Sequence, residues 1–248
     1  MHLIKRVARK IEWLQNKKKH KETFRKEFDE FAYQNKRNFQ LSFEQAVPYL
    51  NDKTANTGFD AHYIYHPAWA ARIVKKLNPA FHVDISSTLH FCTQLSAFIP
   101  VRFYDYRPAL LNLENLESFK ADLTNLFFES NSIECISCMH TIEHIGLGRY
   151  GDPIDADGDI KAIQELKRVV KPGGTILFVV PVGKPKIIFN AHRIYYAPDI
   201  LKLFDGFSLK DFSLVKDNNE FIQDAGIEQA SDQKYACGCF WFLKQETT

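Results

Sequence analysis

Asp159-Ile-Lys-Ala-Ile-Gln-Glu-Leu-Lys-Arg-Val-Val-Lys-Pro-Gly-Gly-Thr-Ile-Leu-Phe-Val-Val180 is the stretch on which the fold turns. Its first half sets Ile160, Ile163, Leu166 and Val169-Val170 at helical spacing behind Asp159, a residue type suited to capping a helix N-terminus. Lys171-Pro172-Gly173-Gly174 then stops the helix, because proline lacks the N–H and glycine accepts the left-handed turn. Residues 175–180 follow as an unbroken apolar run. Such a run belongs to a strand covered on both faces, as in a parallel sheet.

Working outward, the same alternation recurs. Residues 81–85, 101–105 and 133–139 read as buried strands, and 207–215 and 235–243 as closing strands around a polar loop. Helices are expected from His66-Pro67 to Leu77, over 89–98 and over 198–204. Strands alternating with helices imply an α/β fold with a doubly wound, mainly parallel sheet. The 248 residues, 45% hydrophobic and including 21 Phe, supply a core for one such domain. We divide the chain into a basic helical arm, 1–58, and a main domain, 59–248.

No apolar run approaches the ~18–20 residues of a membrane span, and the charged N-terminus does not read as a secretory signal. A cytoplasmic protein is expected. The five cysteines then read as reduced thiols. Cys135-x-x-Cys138 and Cys237-x-Cys239 could supply four zinc ligands, but both pairs lie in apolar strands, so we expect no metal.

Charge is unevenly spread. Residues 1–40 hold 12 Lys and Arg against 5 Asp and Glu, whereas the whole chain carries only +2. Ile4, Val7, Ala8, Ile11 and Leu14 recur at helical spacing among these bases, describing an amphipathic basic helix. Residues 1–40 could touch an anionic membrane at the inner face, or simply present a solvated face; the second is the plainer reading. No nucleic-acid partner is expected, because aromatic residues are not interleaved with the charge.

In an open α/β sheet, ligands bind at the carboxyl ends of the strands, near the switch in strand order. The residues there are Asp84 to Ser87, Asp105-Tyr106-Arg107, Asp122-Leu123-Thr124, and His140 to His144. Asp105 follows Asp84 by 21 positions, close to the ~20 that suit a carboxylate holding ribose hydroxyls. Asp152, Asp155, Asp157 and Asp159 form an acidic loop that lacks the glutamate of a calcium loop and reads as solvated. His140-Thr-Ile-Glu143-His144 spells a zinc-protease motif, yet the flanking strand and Gly146-Leu-Gly148 leave room for barely one helical turn.

The runs 122–144 and 165–177 resemble class I S-adenosylmethionine-dependent methyltransferases. His82-Val-Asp-Ile-Ser-Ser, Ile145-Gly-Leu-Gly-Arg-Tyr-Gly-Asp-Pro-Ile-Asp, Val180-Pro-Val-Gly and Phe189-Asn-Ala-His-Arg are similar, more narrowly, to the domain-of-unknown-function 268 family. The resemblance spans about residues 60–245 and implies a seven-stranded Rossmann-like methyltransferase sheet with an N-terminal helical extension. It implies S-adenosylmethionine as cofactor, with Asp84, Ser86 and Ser87 beside its methionine part and Asp105 on the ribose. Tyr106, Asp122 and Leu123 would border the adenine, and His140 would close the pocket. One departure is Ser86-Ser87-Thr88 where such enzymes carry glycines, since side chains there take up cofactor space.

Methyl transfer to oxygen needs alignment and a base. His144, Glu143 and His192 follow the relevant strands and are the candidates, with Arg149 and Arg193 to hold an anionic acceptor. The expected activity is methyl transfer to a small polar molecule, such as a sugar or glycan precursor. Its rivals are a non-catalytic binding module on the same fold, and a metal-assisted nucleotide- or sugar-processing enzyme.

Overall fold

The computed structural model describes residues 19–50 and 52–246. The chain divides into two compact units, Met1–Gly58 and Phe59–Thr248. In the first, a helix over 19–34 (α1) is followed by a 3-10 turn, Phe43–Gln45. Phe43 packs edge-on to Phe28, with ring centroids 5.0 Å apart, and lies under the Arg25 guanidinium at 4.2 Å. The amphipathic pattern at Ile4 to Leu14 lies outside the described residues. Among those described, no helix is long and apolar enough to cross a membrane.

The second unit is a layered α/β structure. Its main elements in chain order are α2 (Ala61–Leu77), β1 (His82–Ile85), α3 (Leu89–Leu95), β2 (Val101–Asp105), β3 (Leu116–Lys120), β4 (Ile133–Met139), α4 (Gly158–Val169) and β5 (Val170–Val182). They continue with β6 (Lys186–Ile188), β7 (His192–Ile194), α5 (Ala197–Leu203), β8 (Phe207–Val215), β9 (Phe221–Ile222) and β10 (Ala236–Lys244).

One sheet runs in the order β3-β2-β1-β4-β5-β10-β8-β9. Pairing is parallel from β3 through β5, and antiparallel from β5 through β10 and β8 to β9. The chain leaves β1 toward β2 and β3, then returns to lay β4 on the other flank of β1. That places the topological switch between β1 and β4.

Each central strand feeds two cores, because side chains alternate faces. Ile176, Phe178 and Val180 of β5 pack with Ala162, Ile163 and Leu166 of α4 and Ile200 of α5. Leu177 and Val179 face the opposite way, toward Trp69, Ile73 and Val74 of α2 and Phe91 and Leu95 of α3. This is why residues 175–180 carry no polar alternation.

Several boundaries differ from the sequence expectation. The sheet has eight strands rather than seven, and β6 and β7 form a separate hairpin. The edge strand β3 buries little beyond Leu116, so it carries no apolar run. Helix α2 begins at Ala61 rather than at Pro67, where Asp60 accepts a hydrogen bond from the Tyr63 N–H at 3.3 Å. Asp159 lies inside the first turn of α4, with Asp157 at the cap position. Its carboxylate instead accepts from the Tyr195 hydroxyl at 2.9 Å.

Candidate functional site

The ends of β1 and β4 meet at the switch, and both chains turn sharply there. Ser86 has φ +54° and His140 φ +56°, left-handed conformations that side-chain-bearing residues seldom adopt. The turns are fastened by backbone bonds from Ser86 N to Tyr104 O at 2.7 Å and from His140 N to Val179 O at 2.8 Å. Thr141 ties one turn to the other, its hydroxyl donating to Ser86 O at 2.9 Å. Non-glycine residues in such conformations gather at functional sites.

Two adjoining cavities open above these turns. One, about 220 Å³, is lined by Ser86, Asp105, Tyr106, His140, Thr141 and His144, among others. The other, about 130 Å³, reaches Leu123, Asp122, Ala121 and the loop after Ile145. Ser86, Tyr106, Ile145 and Tyr150 line both. Six of the eight cofactor candidates therefore face one composite cleft. Asp84 and Ser87 do not: both are buried behind the Ser86 turn, and Asp84 Oδ2 and Ser87 Oγ lack hydrogen-bond partners there.

The carboxylates in the cleft are differently engaged. Asp105 Oδ1 accepts from Arg107 N at 2.7 Å, which leaves its second oxygen without a protein donor among the described residues. Asp122 Oδ1 is taken up by Thr124, through the backbone N–H at 2.9 Å and the hydroxyl at 2.7 Å. Asp122 thus shapes a turn, and Leu123 supplies the buried apolar wall.

Asp84 belongs to a polar chain sealed between β1 and β4. The Ser137 hydroxyl donates to Asp84 Oδ1 at 2.6 Å, and His82 meets Ser137 Oγ through Nε2 at 2.8 Å. His82 Nδ1 lies 3.2 Å from Cys135 Sγ. Burial pushes the Asp84 carboxyl up to about 7, opposed by the Ser137 hydrogen bond. Burial pushes His82 down to about 3, so its imidazole is neutral.

A second cluster stands beside the cleft. His140 Nδ1 and Glu143 Oε1 are 2.8 Å apart, both side chains almost fully enclosed. Helix α2 brings His62 and His66 to the same place, one turn apart. The His62 ring stacks on His140 with centroids 5.5 Å apart, and Tyr235, just before β10, covers His62 at 5.2 Å. His66 Nδ1 reaches the His62 carbonyl at 2.6 Å. Burial holds His62 down to about 4 and His66 well below the ordinary histidine range. His66 Nε2, His140 Nε2, Glu143 Oε2 and His192 Nε2 are all buried and have no partner among the described residues.

Of the base candidates, His144 faces the cleft. Its Nδ1 lies 2.6 Å from Ala191 O, so that nitrogen carries the proton and Nε2 is the basic one. Burial lowers its pKa, which keeps the ring neutral near pH 7. Glu143 lies beneath, engaged with His140. His192 lines a different cavity, about 430 Å³, together with Lys184, Lys186, Lys234 and Tyr235. Burial lowers the His192 pKa as well.

The two arginines divide. Arg149 is exposed at the rim and donates to Ala191 O at 3.1 Å. Arg193 is buried and committed: it donates to Ile145 O at 2.6 Å and Ala156 O at 3.2 Å, and pairs with Asp159 at 3.5 Å. It fastens the loop instead of holding an acceptor. The acidic loop is likewise internally used, Asp152 accepting from the N–H groups of Gly146 at 2.8 Å and Tyr150 at 3.1 Å. His140 to His144 forms a short 3-10 turn, Ile142–His144, too brief to act as a metal-binding helix.

Sequence reasoning passed over His62, His66 and Tyr235 as site residues, and weighed Cys237 only together with the other cysteines as a zinc ligand. His62 and His66 are one turn apart on α2, a spacing hidden by starting the helix at Pro67. Cys135 and Cys138 cannot act together, since a three-residue step along β4 sends them to opposite cores.

Residues 109–237, just over half of the chain, match the family model described as Caenorhabditis protein of unknown function, DUF268. An uncharacterized protein of Methanocaldococcus jannaschii is 28% identical over 112 residues, covering 40% of this chain and 44% of that protein. The chain therefore spans less than half the length of the curated relative it matches. Among solved structures, a proposed methyltransferase of Bacillus halodurans aligns with TM-score 0.53 and 13% identity, over 73% of this chain and 99% of that one. The YcgJ protein of Bacillus subtilis aligns with TM-score 0.50 and 13% identity, over 73% and 100%. The 1,6-didemethyltoxoflavin-N1-methyltransferase of Burkholderia thailandensis, solved with its substrate and S-adenosylhomocysteine, gives 0.50 and 13%, over 73% and 79%. Identity this low speaks to the fold alone. The sheet order, the site at its switch point and the family match converge: the chain belongs to the DUF268 family and has a methyltransferase-like fold.

Proposed function

We propose that the protein is an S-adenosylmethionine-dependent methyltransferase acting on a small polar acceptor such as a sugar or glycan precursor. The observation that carries this reading is the free carboxylate oxygen of Asp105 at the end of β2, set in a cleft with Tyr106 and the buried Leu123. A carboxylate accepts both hydroxyls of a ribose in charge-assisted hydrogen bonds, and an aromatic and an aliphatic wall suit a purine. The residues present therefore fit a nucleoside. Of the three residues expected at the methionine end only Ser86 lines the cleft; Asp84 and Ser87 support its turn from behind.

S-adenosylmethionine, when bound, supplies an electrophilic methyl group. The chain's own residues align the acceptor and take its proton. His144 is suited to the second task, with Nδ1–H locked on Ala191 O and a neutral ring whose Nε2 can accept. Lys184, Lys186 and Lys234 around His192 favour an acceptor bearing phosphate or carboxylate. They take the part that the buried Arg193 cannot.

Calorimetric titration with S-adenosylmethionine and S-adenosylhomocysteine tests the reading. Micromolar binding is expected, weakened at least tenfold by Asp105→Ala. Absence of both heat and a thermal shift at ~1 mM ligand, a limit near −4 kcal/mol, would overturn it in favour of a non-catalytic binding module.

A further inference from the structure

Buried polar atoms normally find partners, so several orphans in one place call for an explanation. His140 is that case. Its Nδ1 is fixed on the Glu143 carboxylate at 2.8 Å, and its Nε2 is buried and unpartnered. One nitrogen anchored on a carboxylate, with the other left as a bare lone pair, is the usual presentation of a histidine ligand to a metal. The groups nearby are ligand types too. A ring nitrogen of His62, a ring nitrogen of His140 and Cys237 Sγ all lie within 4.8 Å of one another. They come from α2, the end of β4 and β10, three elements brought together only by the sheet order.

We propose that His62, His140 and Cys237 bind one divalent ion of the zinc class, leaving its fourth position to water or an exogenous ligand. The donor set decides the class. Two imidazoles and a thiolate suit Zn²⁺, whereas Mg²⁺ and Ca²⁺ require oxygen. Metal–nitrogen bonds of about 2.0–2.1 Å and a metal–sulfur bond of about 2.3 Å place tetrahedral ligand atoms roughly 3.3–3.6 Å apart. The three atoms, all within 4.8 Å of one another, have to close by at most about 1.5 Å to reach a bound arrangement, and the His62 ring, stacked on His140, has to turn to aim its nitrogen at the ion. On binding, the Cys237 Sγ–H proton is released to solvent as the sulfur–metal bond forms, and no electron changes hands.

This inference does not rest on methyl transfer. The ion would pin α2 to the centre of the sheet, beside the cleft that His140 also lines. Cys239 provides an internal control: its sulfur lies 3.8 Å from Cys237 Sγ, yet it falls outside the three-ligand group.

The test uses the full chain, untagged, reduced and stripped of metal, titrated with Co²⁺ and then Zn²⁺. One equivalent of Co²⁺ should bind with a thiolate charge-transfer absorption, be displaced by Zn²⁺, and be unaffected by excess Mg²⁺. Cys237→Ser should abolish the charge-transfer band while Cys239→Ser keeps it. Glu143→Gln should weaken affinity about 10–100-fold with the band retained. A thermal melt checks that each variant is folded. Should Cys237→Ser not fold, the Glu143→Gln affinity and the Cys239→Ser spectrum decide the matter. Failure of the folded wild type to take up Co²⁺, a band lost in Cys239→Ser, or affinity unchanged by both Glu143→Gln and His62→Gln would overturn the proposal.

Discussion

Two polar clusters lie three residues apart in the chain, one at Ser137 within β4 and one at His140 just past its end, and they are built on opposite plans. Around Ser137 the groups form a closed chain. One proton direction satisfies it, from Cys135 S–H to His82 Nδ1, from His82 Nε2–H to Ser137 Oγ, and from Ser137 O–H to Asp84 Oδ1. Only Asp84 Oδ2 is left over. Around His140 the groups converge but do not close, and His140 Nε2, His66 Nε2 and Glu143 Oε2 all lack partners. β4 thus carries a cluster that fixes it to β1, and the turn that follows it carries another that keeps bonding capacity in reserve. Both clusters are buried; they differ in how far their hydrogen bonds are satisfied.

The largest expected effect comes from breaking the closed chain. Ser137→Ala strands both His82 Nε2–H and Asp84 Oδ1, and at about 1–3 kcal/mol per buried orphan it should cost roughly 2–5 kcal/mol in urea unfolding. A cost below ~1 kcal/mol would mean that the chain is no better satisfied than the open cluster, and the contrast would fail.

The next effect is one of pH. The folded-state carboxyl of Asp84 is raised to about 7 from 3.8, with Ser137 facing it and the Asp105 charge nearby. The native state therefore binds more protons than the unfolded one between about pH 4 and 7, and this contribution to stability falls as pH rises through that window. In Asp84→Asn the fall is absent. The variant should gain on wild type by a few kcal/mol, order of magnitude, between pH 4 and 7. His82, lowered to about 3, works in the opposite sense, since protonation in the unfolded chain costs stability as pH drops below about 6.5. In His82→Gln that loss should vanish. Parallel stability–pH curves for wild type and Asp84→Asn would show that Asp84 ionises normally.

The smallest effect is at Ser86, which joins the two clusters through Thr141. Ser86→Gly relieves a left-handed backbone worth about 1 kcal/mol. It also adds about 0.5–1 kcal/mol of unfolded-state freedom and removes the Oγ bond to Tyr104 O at 3.2 Å. The melting temperature should move little. A loss above ~2 kcal/mol would mean that the serine side chain, not the turn, holds the switch point together.

The legible parts of the molecule are those whose signal is local. β2 and β4 read at their observed bounds because each is a mainly apolar stretch, with one exposed charged residue at its second position, flanked by turn residues. Ser86, Asp105, Tyr106, Leu123, His140 and His144 could be placed in one cleft because strand ends converge in any open parallel sheet. The edge strand β3 and the β6–β7 hairpin were not legible, since β3 buries only Leu116 and Lys186–Ile188 is a three-residue strand exposed throughout, too short to show a period. The meeting of His62 with Cys237 was beyond reach for a different reason. The two sit 175 positions apart, and only the insertion of β10 beside β5 carries the cysteine to the histidines. Arg193 resembled a ligand-binding arginine because charge type alone does not reveal which carbonyls it already holds.

The loop that walls the smaller cavity has one further consequence. Asp152 gathers the N–H groups of Gly146 and Tyr150, and Arg193 grips Ile145 O and Ala156 O. At Gly146, φ +77°, a Cβ would lie 2.0 Å from Asp155 O, so the two limbs of the loop are in backbone contact. Its conformational entropy is surrendered when the protein folds, not when a ligand arrives. A molecule settling against Tyr150 and Pro153 meets a wall whose backbone is already ordered, so loop ordering takes no share of the free energy of its contacts.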